Sequence, residues 1–588
     1  MNPIDMKPFA YPRSGRLSLA TAFLLSGLSL CFGNGIVAAG SEQAVGNPDG
    51  CNAASPNPVA FDWFEYSGTD PDATGPLKPG TIRNPVFSGF YPDPSIHQVG
   101  ADYYLINSTF AYFPGLPIFH SRDLVNWRQI GHIIDRPEQL PYDGISVSNG
   151  LFAPALTYHD GTYYAVCTMV GGQGNFVVTA TDPAGSWSDP VYTPFEGIDP
   201  SLFFDDDGRA WMVNNGAPVG DPLYEGHRAI WMQEFDPVAK EMIGPRQVLV
   251  NGGVDISTKP IWIEGPHLFK VNGLYYLSCA EGGTGPDHSQ VIFRSEKVDG
   301  PYLPWRGNPI LTQRTLDPHV PGAVTCTGHA DYVIGPDGNW WAVFLGVRPY
   351  EGDFSPMGRE TFMLPMKWTE DGWPMILPSD QRVPLVLDSP AGANFIANPE
   401  LPMNGSFQWR DDFSAAELSR LWIMLRAPSQ EWWVMDASEG HLKMVPRLEK
   451  LFEKNNPSFL GRRIQHPVFE ASLAFVPPIE AGVSAGLAVF QNDTHHYYAG
   501  VRRQGDGLSL FLERALKDAV DEIASVALPD CDSISLRIIS EKASCRFEYS
   551  VASGDWVPFA SDLDAKMLTT AVAGGFVGAT VGPHARMD

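Results

Sequence analysis

Apolar and aromatic positions recur along this chain in one short pattern that is written five times. Pro94-Ser-Ile-His leads into Asp102-Tyr-Tyr-Leu, and Pro154-Ala-Leu-Thr into Gly161-Thr-Tyr-Tyr-Ala-Val. Pro200-Ser-Leu-Phe leads into Asp207-Gly-Arg-Ala-Trp-Met-Val, and Pro266-His-Leu-Phe into Asn272-Gly-Leu-Tyr-Tyr-Leu. The fifth copy, Ala330-Asp-Tyr-Val, leads into Asp337-Gly-Asn-Trp-Trp-Ala-Val-Phe. Each copy reads as an apolar strand, a turn at or near Gly, and an aromatic strand. The anchors lie 60, 46, 66 and 64 residues apart, the spacing of propeller blades with loops of variable length. Five hairpins predict an all-β, five-bladed β-propeller.

The pattern ends near Pro390. From Phe407-Gln-Trp-Arg-Asp-Asp-Phe413 onward, alternating segments such as Phe469-Glu-Ala-Ser-Leu-Ala-Phe475 and Leu536-Arg-Ile-Ile539 predict an antiparallel β-sandwich. Ahead of the repeats, Lys7, Arg13 and Arg16 precede an apolar stretch that closes on Val37-Ala-Ala39. That order reads as a cleaved export signal rather than a membrane anchor, so a secreted or periplasmic protein is expected. Cys31 follows bulky Leu30 and makes a weak lipoprotein site. The organisation is therefore a signal at 1–39, a linker or N-terminal arm at 40–80, a propeller at 81–395 and a sandwich at 405–588.

Composition narrows the partners. The 588 residues exceed what one core organises, and 40 basic against 67 acidic residues leave a net charge of −27. Such a surface repels phosphate backbones and anionic membranes but is indifferent to neutral ligands. The 16 Trp residues offer flat faces on which sugars stack, although most are expected in cores. Cysteine spacing matches no zinc motif. Cys167 and Cys279 lie in apolar strands as buried thiols, whereas Cys531 and Cys545 are spaced to bridge neighbouring strands. Asp205-Asp-Asp207 falls where the third hairpin turns, which argues against a metal cluster there.

Three copies carry an acid one or two residues before the Pro: Asp93, Asp199 and Glu264. Blades set their innermost strands around one channel, so these acids converge although distant in sequence. Converging carboxyls suit proton transfer, and glycoside hydrolysis needs one protonated and one ionised. Asp before Pro also caps turns unaided, which accounts for Asp93 or Asp199 alone. Glu264 fits that simpler account poorly, because Glu is not a turn-capping residue.

These segments resemble glycoside hydrolase family 43. The resemblance rests on Asn84-Pro-Val-Phe-Ser-Gly-Phe-Tyr-Pro-Asp-Pro-Ser95, Ile198-Asp-Pro-Ser-Leu-Phe-Phe-Asp-Asp-Asp-Gly208 and Ile263-Glu-Gly-Pro-His-Leu268. Thr327-Gly-His-Ala-Asp331, Gly358-Arg-Glu-Thr361 and Phe459-Leu-Gly-Arg-Arg-Ile-Gln-His466 extend it through both domains. It implies a five-bladed propeller followed by a concanavalin-like antiparallel sandwich. It also implies an inverting mechanism with Asp93 as general base, Glu264 as general acid and Asp199 tuning Glu264. Arg359, His329, Phe152 and Phe113 would contact the sugar. No cofactor is required, although calcium in the channel near His329 is compatible with the family. The implied activity is release of terminal β-D-xylose or α-L-arabinofuranose from hemicellulose oligosaccharides. An endo-acting arabinanase and a non-catalytic carbohydrate-binding propeller are the alternatives. Asn214-Asn-Gly-Ala-Pro218 replaces an aromatic Trp-Asp of the family's xylosidases, which leaves the choice of pentose open.

Overall fold

The computed structural model describes residues 56–588 apart from residue 74, and the expected export signal and Cys31 lie outside the described residues. Five antiparallel sheets form the propeller. Their innermost strands are Ser95–Val99, Gly150–His159, Ile198–Phe204, Glu264–Val271 and Thr325–Ile334, in blades one to five. Each pairs with the aromatic strand of its own hairpin, as the repeats predict. The turns between them follow from residue type. Asp160-Gly161 and Asn272-Gly273 hold positive φ at both positions, the requirement of the tight hairpin turn that Asp-Gly and Asn-Gly favour. Side chains facing adjacent blades form their own cores, such as Met212, Phe235 and Val166 between blades two and three.

Blade five closes on blade one. Ser95 Oγ and the Ile96 amide both donate to Asp331 Oδ2, at 2.8 and 2.9 Å. Beyond the blades, Thr81–Arg83 pairs with Val386–Asp388 and ties the two ends of the propeller together. In the third hairpin Asp205 accepts from Lys270 Nζ and Tyr275 Oη, at 2.9 and 2.7 Å. The Asp triplet therefore begins a turn that is pinned to the next blade.

The sandwich has two eight-stranded sheets. One contains Val59–Thr69 between His441–Met444 and Val468–Phe475. Within its described part, this corrects the linker or N-terminal arm expected over residues 40–80. Phe61, Phe64 and Tyr66 alternate into the sandwich core and are fully buried, worth about 1.5–3 kcal/mol each. Gly- and Pro-rich flanks obscured this strand, and its partners lie some four hundred residues onward, beyond any local pattern. The sandwich is thus completed from the N-terminal side and does not begin at 405. Cys531 and Cys545 are both free thiols, so the bridge their spacing allows is not made. Cys167 and Cys279 are free and buried, as expected.

The two domains share a core. Tyr112–Phe113, from a propeller loop, adds as an edge strand to Trp422–Leu425 of the second sandwich sheet. Phe90, Phe110 and Tyr112 pack with Ile423, Phe459, Phe490 and Val577 across the seam. Arg426 Nη2 bonds Asp493 Oδ1 at 2.7 Å, and Asp493 Oδ2 accepts from the Val147 amide at 2.9 Å. Gly358 and Gly578 touch at the seam: a Cβ on Gly358, which holds φ +67°, would lie 2.7 Å from the Gly578 nitrogen. Among the described residues, no helix is long and apolar enough to cross a membrane.

Candidate active site

In four of the five repeats the anchor is also a break in the hairpin. The inner strands of blades two to five each slip register, between Phe152 and Ala155, Ile198 and Ser201, Glu264 and His267, and Gly328 and Asp331. Such bulges re-aim side chains, and Pro is tolerated in them because its missing N–H leaves no ladder bond unmade. Phe152, Asp199, Glu264 and His329 sit within these slips. Asp93, Asp199 and His329 hold φ of 51°, 55° and 55°. Left-handed backbone at non-glycine residues costs roughly 1–2 kcal/mol each, strain that surrounding structure must hold in place. Gly265 is required where it stands. Its amide donates to Asp199 Oδ2 at 3.2 Å, and a Cβ there would lie 2.8 Å from the His329 ring.

The three acids meet in one buried site, exposed by 4%, 5% and 7% for Asp93, Asp199 and Glu264. Their surroundings differ sharply. Asp93 Oδ1 accepts from Arg359 Nη1 at 2.8 Å and Oδ2 from Ser108 Oγ at 2.7 Å, with His329 Nδ1 3.9 Å away. Burial alone would raise its pKa. The Arg359 charge, His329 and the Ser108 bond outweigh burial and hold the carboxyl below its ordinary value. Glu264 has no such support: its Oε1 is buried without a hydrogen-bond partner. Burial, then the charges of Asp199 and Asp93, push its pKa well above the ordinary carboxylate range. Asp199 is also raised, by burial and by Asp93. Asp199 is pushed up to about 7 and Glu264 well above the carboxylate range, so Glu264 is the acid that keeps its proton once Asp93 and Asp199 carry charge. One site thus holds carboxyls of opposite tendency, set apart by their environments.

Aromatic side chains wall this site from both domains. Phe110 meets Phe152 at 5.3 Å and Phe576 at 6.2 Å between ring centroids, and Phe152 meets Phe576 at 5.8 Å. The Arg359 guanidinium lies 5.6 Å from the Phe110 ring and 5.7 Å from that of Phe576. Phe576 comes from the sandwich, and its amide donates to Ser148 Oγ of the propeller at 3.0 Å. Arg359, His329 and Phe152 thus join the acids.

Phe113 does not, which corrects its expected place in the pocket. It is 4% exposed, packs edge-on to Tyr142 and lies in the core that blades one and two share with the sandwich. Side chains alternate along Tyr112–Phe113, so the strand that docks this loop on the sandwich turns Phe113 away. Phe110, in the same loop, takes the wall position. Ser108 and Phe576 were not anticipated from the sequence. Phe576 had a signal, an aromatic residue set in Gly574-Gly-Phe-Val-Gly578.

His329 is 5% exposed, and burial pushes its pKa down to about 4. Among the described residues no three His, Cys, Asp or Glu side chains are grouped to hold a metal ion. The carboxylate beside His329 is already engaged by Arg359.

Comparison with known proteins agrees with this geometry. Residues 82–374 match the model of glycosyl hydrolases family 43, and residues 410–586 that of the β-xylosidase C-terminal concanavalin A-like domain. A xylosidase/arabinosidase of Butyrivibrio fibrisolvens is 37% identical over 511 residues, 86% of this chain and 95% of the relative. A non-reducing end α-L-arabinofuranosidase of Bacteroides ovatus is 36% identical over 516 residues, 86% of this chain and 91% of the relative. The crystal structure of a GH43_12 protein retrieved from the capybara gut metagenome superposes with a TM-score of 0.85 at 40% identity. It covers 90% of this chain and 100% of its own. With both domains matched and the three acids gathered in one buried site, the chain belongs to family 43 of the glycosyl hydrolases.

Proposed function

We propose that this protein is an exported, inverting exo-glycosidase. It removes single β-D-xylose or α-L-arabinofuranose units from the non-reducing ends of hemicellulose-derived oligosaccharides. Ionised Asp93 takes a proton from a water molecule as the water oxygen bonds to the anomeric carbon. Glu264 gives its proton to the glycosidic oxygen as the bond from that oxygen to the anomeric carbon breaks. Water enters on the face opposite the departing sugar, so the configuration inverts. Arg359 keeps Asp93 ionised and offers further N–H groups to the terminal sugar. Asp199 keeps Glu264 protonated through its negative field.

The observation that carries this reading is the unequal support of two buried carboxyls in one site: Asp93 is held by Arg359 and Ser108, whereas Glu264 Oε1 is buried without a hydrogen-bond partner. Removal of single terminal units is supported by Phe576, which brings the sandwich against the pocket wall. Pentose specificity is supported by relatives that include a xylosidase/arabinosidase and an α-L-arabinofuranosidase. Export rests on the N-terminal pattern of basic and apolar residues.

The test is hydrolysis of nitrophenyl β-xyloside and α-arabinofuranoside by the protein and by its Asp93→Asn and Glu264→Gln variants. Asp93→Asn is expected to lose activity on both. Glu264→Gln is expected to retain more on nitrophenyl substrates than on oligosaccharides, because nitrophenolate leaves without a proton. Equal activity in all three proteins would overturn the assignment. Tight sugar binding without hydrolysis would make the propeller a binding module.

A further inference from the structure

Glu264 must stand beside the oxygen of the departing sugar, so groups flanking Glu264 are within reach of the leaving group. One cation, Arg228, is tied through Asn215 to the carbonyl of Ile263, next to Glu264. Arg228 immediately precedes the third strand of blade three, Ala229–Asp236, and places its guanidinium 4.9 Å from the centre of the Trp262 ring. Its Nε and Nη2 both donate to Asn215 Oδ1, at 3.0 and 2.8 Å. Asn215 is fixed in turn by donating to the Ile263 carbonyl at 2.6 Å. The charge of Arg228 reaches Glu264 and Asp199, whereas Arg359 pairs directly with Asp93. Arg359 reaches Glu264 and Asp199 as well, so both arginines act on the acid and only Arg359 pairs with the base.

Arg228 has a donor to spare. Among the described residues Nη1 has no hydrogen-bond partner, and it is not fully buried. Trp262, two residues before Glu264, is half-buried and holds φ of 50°. Its backbone amide donates to the Gly226 carbonyl at 2.8 Å, which sets it against the loop that carries Tyr224. Tyr224 Oη lies 2.8 Å from the Pro260 carbonyl and 3.3 Å from that of Gly252, stitching two loops together. These bonds fix the backbone around the Arg228–Trp262 pair and lower the entropy lost when a ligand settles on it.

We infer that Arg228 and Trp262 form the subsite for the first sugar of the leaving group. Trp262 receives the C–H face of that ring, and Arg228 Nη1 donates to one of its hydroxyls. The occupant is a neutral pentosyl unit, for which an aromatic surface with one charge-assisted donor is a suitable match. Asn215 acts through Arg228 as a positioning residue. This also gives the departure at Asn214-Asn215 a role, since the second Asn holds the arginine. The inference rests on the glycosidase reading above.

The test compares two substrates of one anomeric configuration, a pentosyl fluoride and the matching pentose disaccharide. Fluoride departs without a sugar, so only the disaccharide uses the subsite. In Arg228→Ala and Trp262→Ala, the ratio of kcat/KM for disaccharide to that for fluoride is expected to fall roughly 10- to 100-fold, chiefly through KM. Arg228→Lys is expected to fall less, because it keeps the charge but loses the planar fork. A proportional loss on both substrates, or an unchanged ratio, would overturn the subsite. Failure of the unaltered protein to hydrolyse either substrate would overturn the glycosidase reading itself. Turnover of fluoride also reports that each variant is folded.

Discussion

Replacing Ser108 with Ala removes one hydroxyl and, with it, the donor 2.7 Å from Asp93 Oδ2. Both residues are almost fully buried, so water does not readily substitute. A hydrogen bond to a charged group contributes about 1.5–3 kcal/mol, and this one favours only the ionised carboxyl. Arg359 remains on Oδ1, so the base survives but holds its proton more readily. Activity that depends on ionised Asp93 must then fail at higher pH on the acidic side. At a fixed pH on that limb, kcat/KM is expected to drop to roughly a tenth of the unaltered value or less. Near the plateau, where Asp93 is ionised in both proteins, the loss is small.

Stability follows the same proton. The native pKa of Asp93 is depressed, so its contribution is full above the usual carboxylate range and is lost as pH falls through the native value. Ser108→Ala is therefore expected to lower stability by about 1–3 kcal/mol at neutral pH and by progressively less in acid. Full pH–rate profiles and melting curves at matched pH decide the matter. An acidic limb that stays in place or moves to lower pH would refute the reasoning, as would a melting difference that grows in acid.

Three other perturbations test separate parts of the account. Asp199→Asn removes a charge that helps Glu264 keep its proton, so the alkaline limb of kcat/KM should move to lower pH; movement upward would contradict the tuning role. Phe576→Ala opens the wall supplied by the sandwich and should raise KM for a terminal pentoside several-fold while both domains stay folded by circular dichroism. Arg348→Met strands Asp70 and Glu360, whose carboxylates bond Arg348 at 2.6 and 2.8 Å in the interior. Loss of one partner from a buried ion cluster costs about 3–5 kcal/mol, read as a lowered melting temperature.

Much of the propeller and its chemistry was legible because each blade is local. A strand, a Gly turn and an aromatic strand lie within one hairpin, and the anchor marks where the strand slips register. Asp93, Asp199, Glu264 and His329 could therefore be placed in one channel before any coordinates. What sequence concealed is non-local. Val59–Thr69 finds its partners at the far end of the chain, so local composition read it as linker. Phe113 and Phe110 sit three residues apart, and only the edge strand paired with Trp422–Leu425 decides which one faces the sugar. Phe576 reaches the propeller site from a different domain. Arg228 carries no motif, and its meaning comes entirely from Asn215, Trp262 and the acid beside them.

The central claim is that Asp93 directs water while Glu264 protonates the leaving oxygen, each in a single displacement. Proton NMR of the sugar released in the first minutes of hydrolysis, before mutarotation, tests it most directly. The account predicts that the first pentose formed has the anomeric configuration opposite to that of the substrate. A first product with the substrate's own configuration would contradict it, because it would require a carboxylate to bond the anomeric carbon and not a water molecule.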